Sequence, residues 1–370
     1  MLTWQKAWSP GTYLVVDENM IFWTGTGEVH VTYLPRKPTP YGIELKSVAC
    51  GQSNILLNAE MVEGKEVDAS KEYRDEVGAT TATTLLRLVK PWKGSGRTVV
   101  GDSWFGSCRT AEWLMDELGL HSVLAIKTGH SGYPKAELVA AVQNERFSNC
   151  FKKITVQLET GEREFYAGAH MDKKPMLLLA TCGTSLPGKT IVRDRREWQE
   201  GGIVRSRYEC TQPNMHDIYR THFNAVDLFN RDCFGTYSIQ FAVRTKQWSR
   251  RMFLACLGMC ETNALQAYRK AVGPMTRFEW LVKLSEVLIN NPWIGEGSDD
   301  DSAESLGAGG DYHGQCGNQT YFTGTAACHV CGKLSHWKCG CGTPLCRAGS
   351  SASVPARPCY FQHLLGTLRR

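Results

Sequence analysis

Residues 97–107 read RTVVGDSWFGS, and this stretch decides the fold. Thr98, Val99 and Val100 are β-branched and favour a buried strand, Gly101 interrupts it, and one carboxylate, Asp102, follows at its end. Just downstream, in SCRTAEWLMDELGLHSVLAIK (107–127), Ala111, Leu114, Met115 and Leu118 recur at i, i+3, i+4 and i+7. Gly119 is placed to stop that helix, and SVLAIK reads as another strand. Strand, helix, strand is the unit of an α/β layer, so the expected fold class is α/β with Asp102 at the end of a core strand. By itself Asp102 is either a helix cap or a reactive group at the rim of a buried sheet.

Working outward, TYLVVD (12–17), EVHVTYL (28–34) and IELKSVAC (43–50) read as strands separated by the loop PRKPTPYG, and TATTLLRLVKPW (81–92) reads as a helix. From about 130 to 210 the strand-like runs FKKITVQL, EFYAGAHM and KPMLLLATC suggest a β-rich insertion. Residues 213–290 are helical in pattern, and Trp248, Phe253 and Leu254 are expected to pack against the sheet. The Gly/Ser/Asp-rich stretch 295–311 lacks an apolar period and reads as a flexible linker. The expected organisation is one domain over 1–290, a linker over 291–315 and a small module over 316–370.

Composition narrows the class. The chain has 370 residues, 42% hydrophobic and 21% charged, which suffices for large cores. No signal-peptide pattern opens it and no run of 18 apolar residues occurs, so a soluble, non-secreted protein without a membrane partner is expected. Six of the 15 cysteines fall between Cys328 and Cys359 while the other nine are scattered, which favours reduced thiols plus one metal module. A net charge of +5 does not by itself imply a polyanion partner, and the clusters RDRR (193–196), RSR (205–207) and RTKQWSRR (244–251) read first as solvated faces.

Three aspartates share a local setting. Asp17 ends TYLVVD, Asp102 ends RTVVGD, and Asp227 opens the helical run of FNAVDLFNRD. Carboxylates gathered at strand ends and a helix terminus can hold hard, oxygen-seeking cations such as Mg²⁺. In the last segment, Cys328 and Cys331 have the C-x₂-C spacing of a thiolate chelate, with His336, Cys339, Cys341, Cys346, Cys359 and His363 as further ligands for Zn²⁺. So short a segment with little apolar content needs metal to fold.

The motifs VVDENMIFWTG…YLPRKPTPYGIEL, VVGDSWFGS, HMDKKPMLLLATC and VDLFNRDCFGTYSIQFAVRTKQWSRRMFLACLGMCETNAL resemble, in order and rough spacing, the transposase domain of piggyBac elements and their domesticated derivatives. The resemblance covers roughly residues 12–270 plus the cysteine module. It implies a ribonuclease H-like catalytic domain in which Asp17, Asp102 and Asp227 hold Mg²⁺ or Mn²⁺. In the family, water nicks the transposon end at its 3′ side, the freed hydroxyl attacks the other strand to form a hairpin, and insertion follows at TTAA sites. Double-stranded DNA as partner, a nuclear location and a homodimer are further implications, and Lys246, Arg250 and Arg251 become candidate phosphate contacts. The resemblance further implies crossed zinc binding that recognises DNA, Cys328 and Cys331 sharing one ion with Cys346, and Cys341 sharing a second with Cys359 and His363. His336 and Cys339 stay open as ligands, as does the choice of one zinc or two.

Departures from the pattern matter. Asn224 and Ala225 replace two glycines, Asn230 stands where a fourth carboxylate is usual, and Thr24 and Thr26 replace basic residues. Asp17 lies so near the start that the chain is expected to be truncated at its N-terminus. The alternatives are a domesticated or decayed non-catalytic DNA-binding protein, or a protein-interaction module of RING type.

Overall fold

The computed structural model describes residues 4–23, 25, 30–35, 37, 40–127, 132–143, 146–290, 319–327 and 334–339. The helices are α1 (Trp4–Ala7), α2 (Lys65–Ala69), α3 (Arg74–Val77), α4 (Thr80–Val89), α5 (Cys108–Asp116), α6 (Lys135–Val142), α7 (Asn214–His222), α8 (Ala225–Phe234), α9 (Ile239–Ala242), α10 (Trp248–Ala271) and α11 (Arg277–Ile289). The strands are β1 (Tyr13–Phe22), β2 (Val31–Tyr33), β3 (Tyr41–Cys50), β4 (Leu56–Met61), β5 (Thr98–Gly101), β6 (His121–Ala125), β7 (Asn149–Leu158), β8 (Gly161–Met171), β9 (Pro175–Ala180), β10 (Pro187–Gln199), β11 (Gly202–Pro213), β12 (Gln319–Ala327) and β13 (Leu334–Cys339). Two compact units emerge, Met1–Arg231 with Thr262–Ala271, and Asp232–Glu261 with Val272–Arg370. Sequence alone puts the first boundary near 290, because composition does not change inside the helical segment where these units divide.

The first unit is built on a nine-stranded mixed sheet in the order β2-β3-β1-β5-β6-β9-β8-β7, with β4 on β3. Strands β1, β5 and β6 are parallel to one another, and the remaining pairings are antiparallel. Central strands are apolar on both faces, as TYLVVD and RTVVG require, because helices cover both sides. On one face Leu14, Val16, Val48, Val99 and Leu124 pack with Leu85 and Leu86 of α4 and Ala111 and Leu114 of α5. On the other, Val15, Ala49, Val100 and Val123 pack with Met215 and Tyr219 of α7 and Ala225 and Val226 of α8.

Local signals set the element ends. Ser107 caps α5, its side chain accepting from the Thr110 N–H at 3.0 Å, and Gly119 takes a left-handed φ of +57° just beyond the helix. EVHVTYL yields only the three-residue edge strand β2 among its described residues. The β-rich stretch divides: β7, β8 and β9 extend the main sheet through the β6–β9 pairing, while β10 and β11 form a hairpin of their own. No helix among the described residues is long and apolar enough to cross a membrane.

Within the second unit, α11 opens on a capping box between Thr276 and Glu279, and the buried Glu261 carboxylate accepts from Arg277 and Trp280. Trp248 and Phe253, expected as core, are 41% and 67% exposed. For Phe253 the helical period explains it, since the buried stripe of α10 runs through Arg251, Ala255 and Met259 and Phe253 lies off that stripe, whereas Trp248 is the first residue of the helix. Strands β12 and β13 pair through Tyr321 and Trp337.

Asn263 of α10 acts like one residue of a neighbouring strand. Its Oδ1 accepts from the Leu56 N–H and its Nδ2 donates to the Leu56 carbonyl, both at 2.8 Å and buried. Asn263→Ala strands both backbone groups and is expected to destabilise the protein by about 2–3 kcal/mol, read by chemical denaturation against wild type.

Candidate active site

Asp17 and Asp102 meet because of strand register. Val16 of β1 pairs in parallel with Gly101 of β5, so the next residue along each chain is an aspartate and the two carboxylates emerge side by side where β5 ends. A Cβ on Gly101 would stand 2.9 Å from Val16 Cγ2, so this close spacing needs the glycine. Asp102 is not the cap of α5, a role that belongs to Ser107. It organises its own turn: the Trp104 N–H donates to Asp102 Oδ1 at 2.8 Å, and the Phe105 and Gly106 N–H groups donate to its carbonyl, each at 3.1 Å. Phe105 is buried in the core, and Gly106 lies so near β6 that a Cβ would sit 1.9 Å from the Ala125 carbonyl oxygen. The DSWFG turn is therefore fixed along its length, and Asp102 with it.

A third carboxylate joins them. Ligand atoms of Asp17, Glu18 and Asp102 all lie within 4.8 Å of one another. Strand alternation assigns Glu18 to the opposite face from Asp17, which is why pattern reading passes over it. Its one signal is adjacency to Asp17 in VVDEN. Glu18 is buried and held by two lysines, Lys37 Nζ at 3.3 Å and Lys46 Nζ at 3.9 Å. Lys46 is itself buried, pairs with Glu44 at 2.6 Å, and lies 3.7 Å over the Trp104 ring. One lysine on β3 thus ties Glu18 to the turn that carries Asp102.

Asp227 stands on the first turn of α8, exposed and outside that carboxylate group, while Ala225, Val226 and Phe229 anchor the helix beneath it. Its charge still reaches Asp17. Burial pushes the Asp17 carboxyl up to about 7; the charges of Glu18 and Asp227 push the same way, and the Glu18 N–H (2.7 Å) and Lys37 oppose them. Tyr219 of α7 is likewise kept a neutral phenol by burial and by the charges of Asp102 and Asp17.

The donor set is oxygen only, the chemistry that suits Mg²⁺ or Mn²⁺. Polar side chains crowd the same place. Ser47 lies directly across the β1–β3 ladder from Asp17, and Asn19 is two residues on, so both share the face of Asp17. Ser47 Oγ, both Asn19 amide atoms and Asn230 Oδ1 are buried without a hydrogen-bond partner among the described residues. Asn230 Nδ2 reaches the Glu18 carbonyl at 3.5 Å. Excess negative charge and unused oxygen acceptors both fit a divalent cation.

Of the expected phosphate contacts, Lys246 and Arg250 are exposed, whereas Arg251 is buried at 7% exposure and is not presented to a partner. The reason is the helical period that places it on the buried stripe of α10. Cys328, Cys331, Cys341, Cys346, Cys359 and His363 lie outside the described residues; His336 and Cys339 fall in β13, where only the backbone is described.

A raised acid pKa carries a sign. Asp17 titrates at about 4 in the unfolded chain and at about 7 in the fold, so the folded protein binds the proton more tightly between those values. Its contribution to stability is full below the unfolded value and is lost as pH rises through about 7. Metal-free protein is expected to lose melting temperature from this group between about pH 4 and 7, Asp17→Asn to flatten that slope, and Mn²⁺ to restore stability at about pH 7.5, all read by scanning calorimetry.

A family model described as Transposase IS4 matches residues 3–265. No curated protein matches the chain. Among solved structures, the chain is similar to one described as the cryo-EM structure of piggyBac transposase synaptic complex with hairpin DNA, with a TM-score of 0.56 and 18% identity. That likeness covers 75% of this chain and 52% of the other, so the chain spans about half the length of the solved relative. What the likeness carries is the mixed α/β fold.

Proposed function

The chain belongs to the transposase IS4 family, and we propose that it is a piggyBac-type transposase-derived protein that cleaves and transfers DNA strands with a divalent metal. The observation that carries this reading is the convergence of Asp17, Glu18 and Asp102 within 4.8 Å where β5 ends beside β1. A ribonuclease H-like core is supported by the order β4-β3-β1-β5-β6, with β1, β5 and β6 parallel and β3 and β4 antiparallel to their neighbours.

Asp17 and Asp102 would be the principal ligands and Glu18 would supply a further oxygen, while Asp227, outside that group on α8, is the third aspartate of the family's pattern. A Mg²⁺ or Mn²⁺ ion bound by these residues would supply acidity to a bound water and stabilisation to the departing 3′ oxygen. The chain's own residues do the rest. The Trp104 N–H holds the Asp102 carboxylate in one orientation, so no reorganisation is needed at the moment of reaction. The Asp17 carboxyl, raised to about 7, is partly protonated near neutral pH and would release that proton to hold the cation, which would link occupancy to pH. Lys37, half-buried beside Glu18, places positive charge where a phosphate approaches.

The partner is double-stranded DNA, at transposon ends and TTAA targets by the family's pattern, in the nucleus, with a homodimer as a further expectation of that pattern. Lys246 and Arg250 are the proposed phosphate contacts. Zn²⁺ in the terminal module, held by Cys328, Cys331, Cys341, Cys346, Cys359 and His363, with His336 and Cys339 available, is supported by thiolate and imidazole spacing and serves to recognise DNA.

A second reading is a domesticated DNA-binding protein that has lost cleavage. Asn230 favours it, because an amide in the fourth carboxylate's place removes a charge from the site.

Asp102→Asn keeps the acceptor for the Trp104 N–H and is expected to leave the melting temperature unchanged while reducing Mn²⁺-dependent nicking of plasmid DNA to background. Nicking at the wild-type rate would remove the catalytic assignment and leave the second reading. Glu18→Gln is expected to weaken Mn²⁺ binding by about 10–100-fold in calorimetric titration. Elemental analysis of the purified protein should give one or two zinc ions per chain, and a value near zero would sink the zinc module.

A further inference from the structure

The β10–β11 hairpin is the one large element of the first unit that neither core cluster includes among its described residues. Past a register irregularity between Pro187 and Thr190 it pairs without interruption from Thr190↔Thr211 to Gln199↔Gly202, and the whole ribbon is on the order of 40 Å long at about 3.3 Å per residue. A two-stranded ribbon exposed to water is marginal in stability, so its sequence should favour pairing wherever it can. One face departs from that. Along it run the cross-strand pairs Val192↔Glu209, Asp194↔Arg207, Arg196↔Arg205 and Trp198↔Ile203.

Asp194 opposite Arg207 favours the ladder, whereas Arg196 opposite Arg205 sets two guanidinium groups face to face, which destabilises a pair of strands. The next pair toward the tip is apolar and exposed, Trp198 at 82% and Ile203 at 56%. A like-charge pair beside a bare tryptophan has a cost in the free chain that an anionic partner with apolar surface would remove. Nucleic acid has both: phosphates for the two guanidiniums, and base or sugar surface for the indole. A two-stranded ribbon also fits the major groove of B-form DNA, about 12 Å wide, and is excluded from the deep, narrow groove of A-form RNA.

We propose that the β10–β11 ribbon is a second DNA-binding element, distinct from the carboxylate site, in which Arg196 and Arg205 bridge phosphates and Trp198 packs on the groove surface. This rests on the reading that DNA is the partner, but not on cleavage.

Arg205→Glu separates binding from folding, because it turns a repelling pair into an attracting one. Its hairpin should be at least as stable, with an unchanged or raised melting temperature, while affinity for a fluorescein-labelled mixed-sequence DNA duplex falls. Fluorescence anisotropy over a salt series should show the slope of log K against log salt shrinking by about 2 units, since the introduced carboxylate also neutralises Arg196. Trp198→Ala should weaken binding by about 5–100-fold with the slope unchanged, and Trp198→Phe should recover most of that loss. Duplex RNA should bind wild type and Arg205→Glu alike. An unchanged slope in Arg205→Glu, an equal loss toward duplex RNA, or no salt-dependent DNA binding by the wild-type chain would each overturn the proposal. Asp102→Asn tells the two readings apart: it should lose nicking and keep the salt slope, so failure of the nicking result leaves the ribbon standing.

Discussion

The parallel pairing of β1 with β5, with Val16 beside Gly101, sets the geometry of the carboxylate site. It sets two aspartates next to one another where β5 stops. Nothing in their own chemistry would bring them there, since adjacent carboxylates repel. The apolar layers of β1, β5 and β6, buried on both faces, supply the free energy that overrides this repulsion. Folding thus creates an excess of negative charge at the site that a divalent cation would cancel.

The surroundings are arranged around that excess charge. Lys37 and Lys46 flank Glu18, and Lys46 also rests on the Trp104 ring, so the network joins β1, β3 and the turn after β5. Burial first, and then the charges of Glu18 and Asp227, hold the Asp17 carboxyl well above its ordinary value against the Glu18 N–H and Lys37. Tyr219 lies within the same field on the α7 side. The site is therefore rigid in its frame and unsaturated in its charge, a combination suited to holding a metal without rearrangement.

The hairpin obeys the opposite logic. The main sheet gains stability by burying both faces, whereas β10 and β11 expose a row that includes a repelling arginine pair and a bare tryptophan. The arginine pair weakens a free ribbon, and the tryptophan leaves apolar surface in water. They become reasonable on a surface shaped for a polyanion, in the same way that the crowded carboxylates become reasonable around a cation.

Local events were legible in the chain. The β-branched run before Gly101, the spacing of Ala111, Leu114 and Leu118 and the stop at Gly119 placed β5 and α5, because each depends only on neighbours along the chain. The motifs around Asp17, Asp102 and Asp227 identified the family for the same reason. Tertiary structure decided the rest. Glu18 joined the site against strand alternation because the turn after Gly101 brings Asp102 up to β1; Lys46 and Trp104 met across distant segments; and Arg251 and Phe253 exchanged their expected places through the rotation of α10. The β-rich stretch extended the sheet because β9 found β6, a pairing between residues far apart in the chain. Periodicity records which residues turn the same way, but only packing decides what they turn toward.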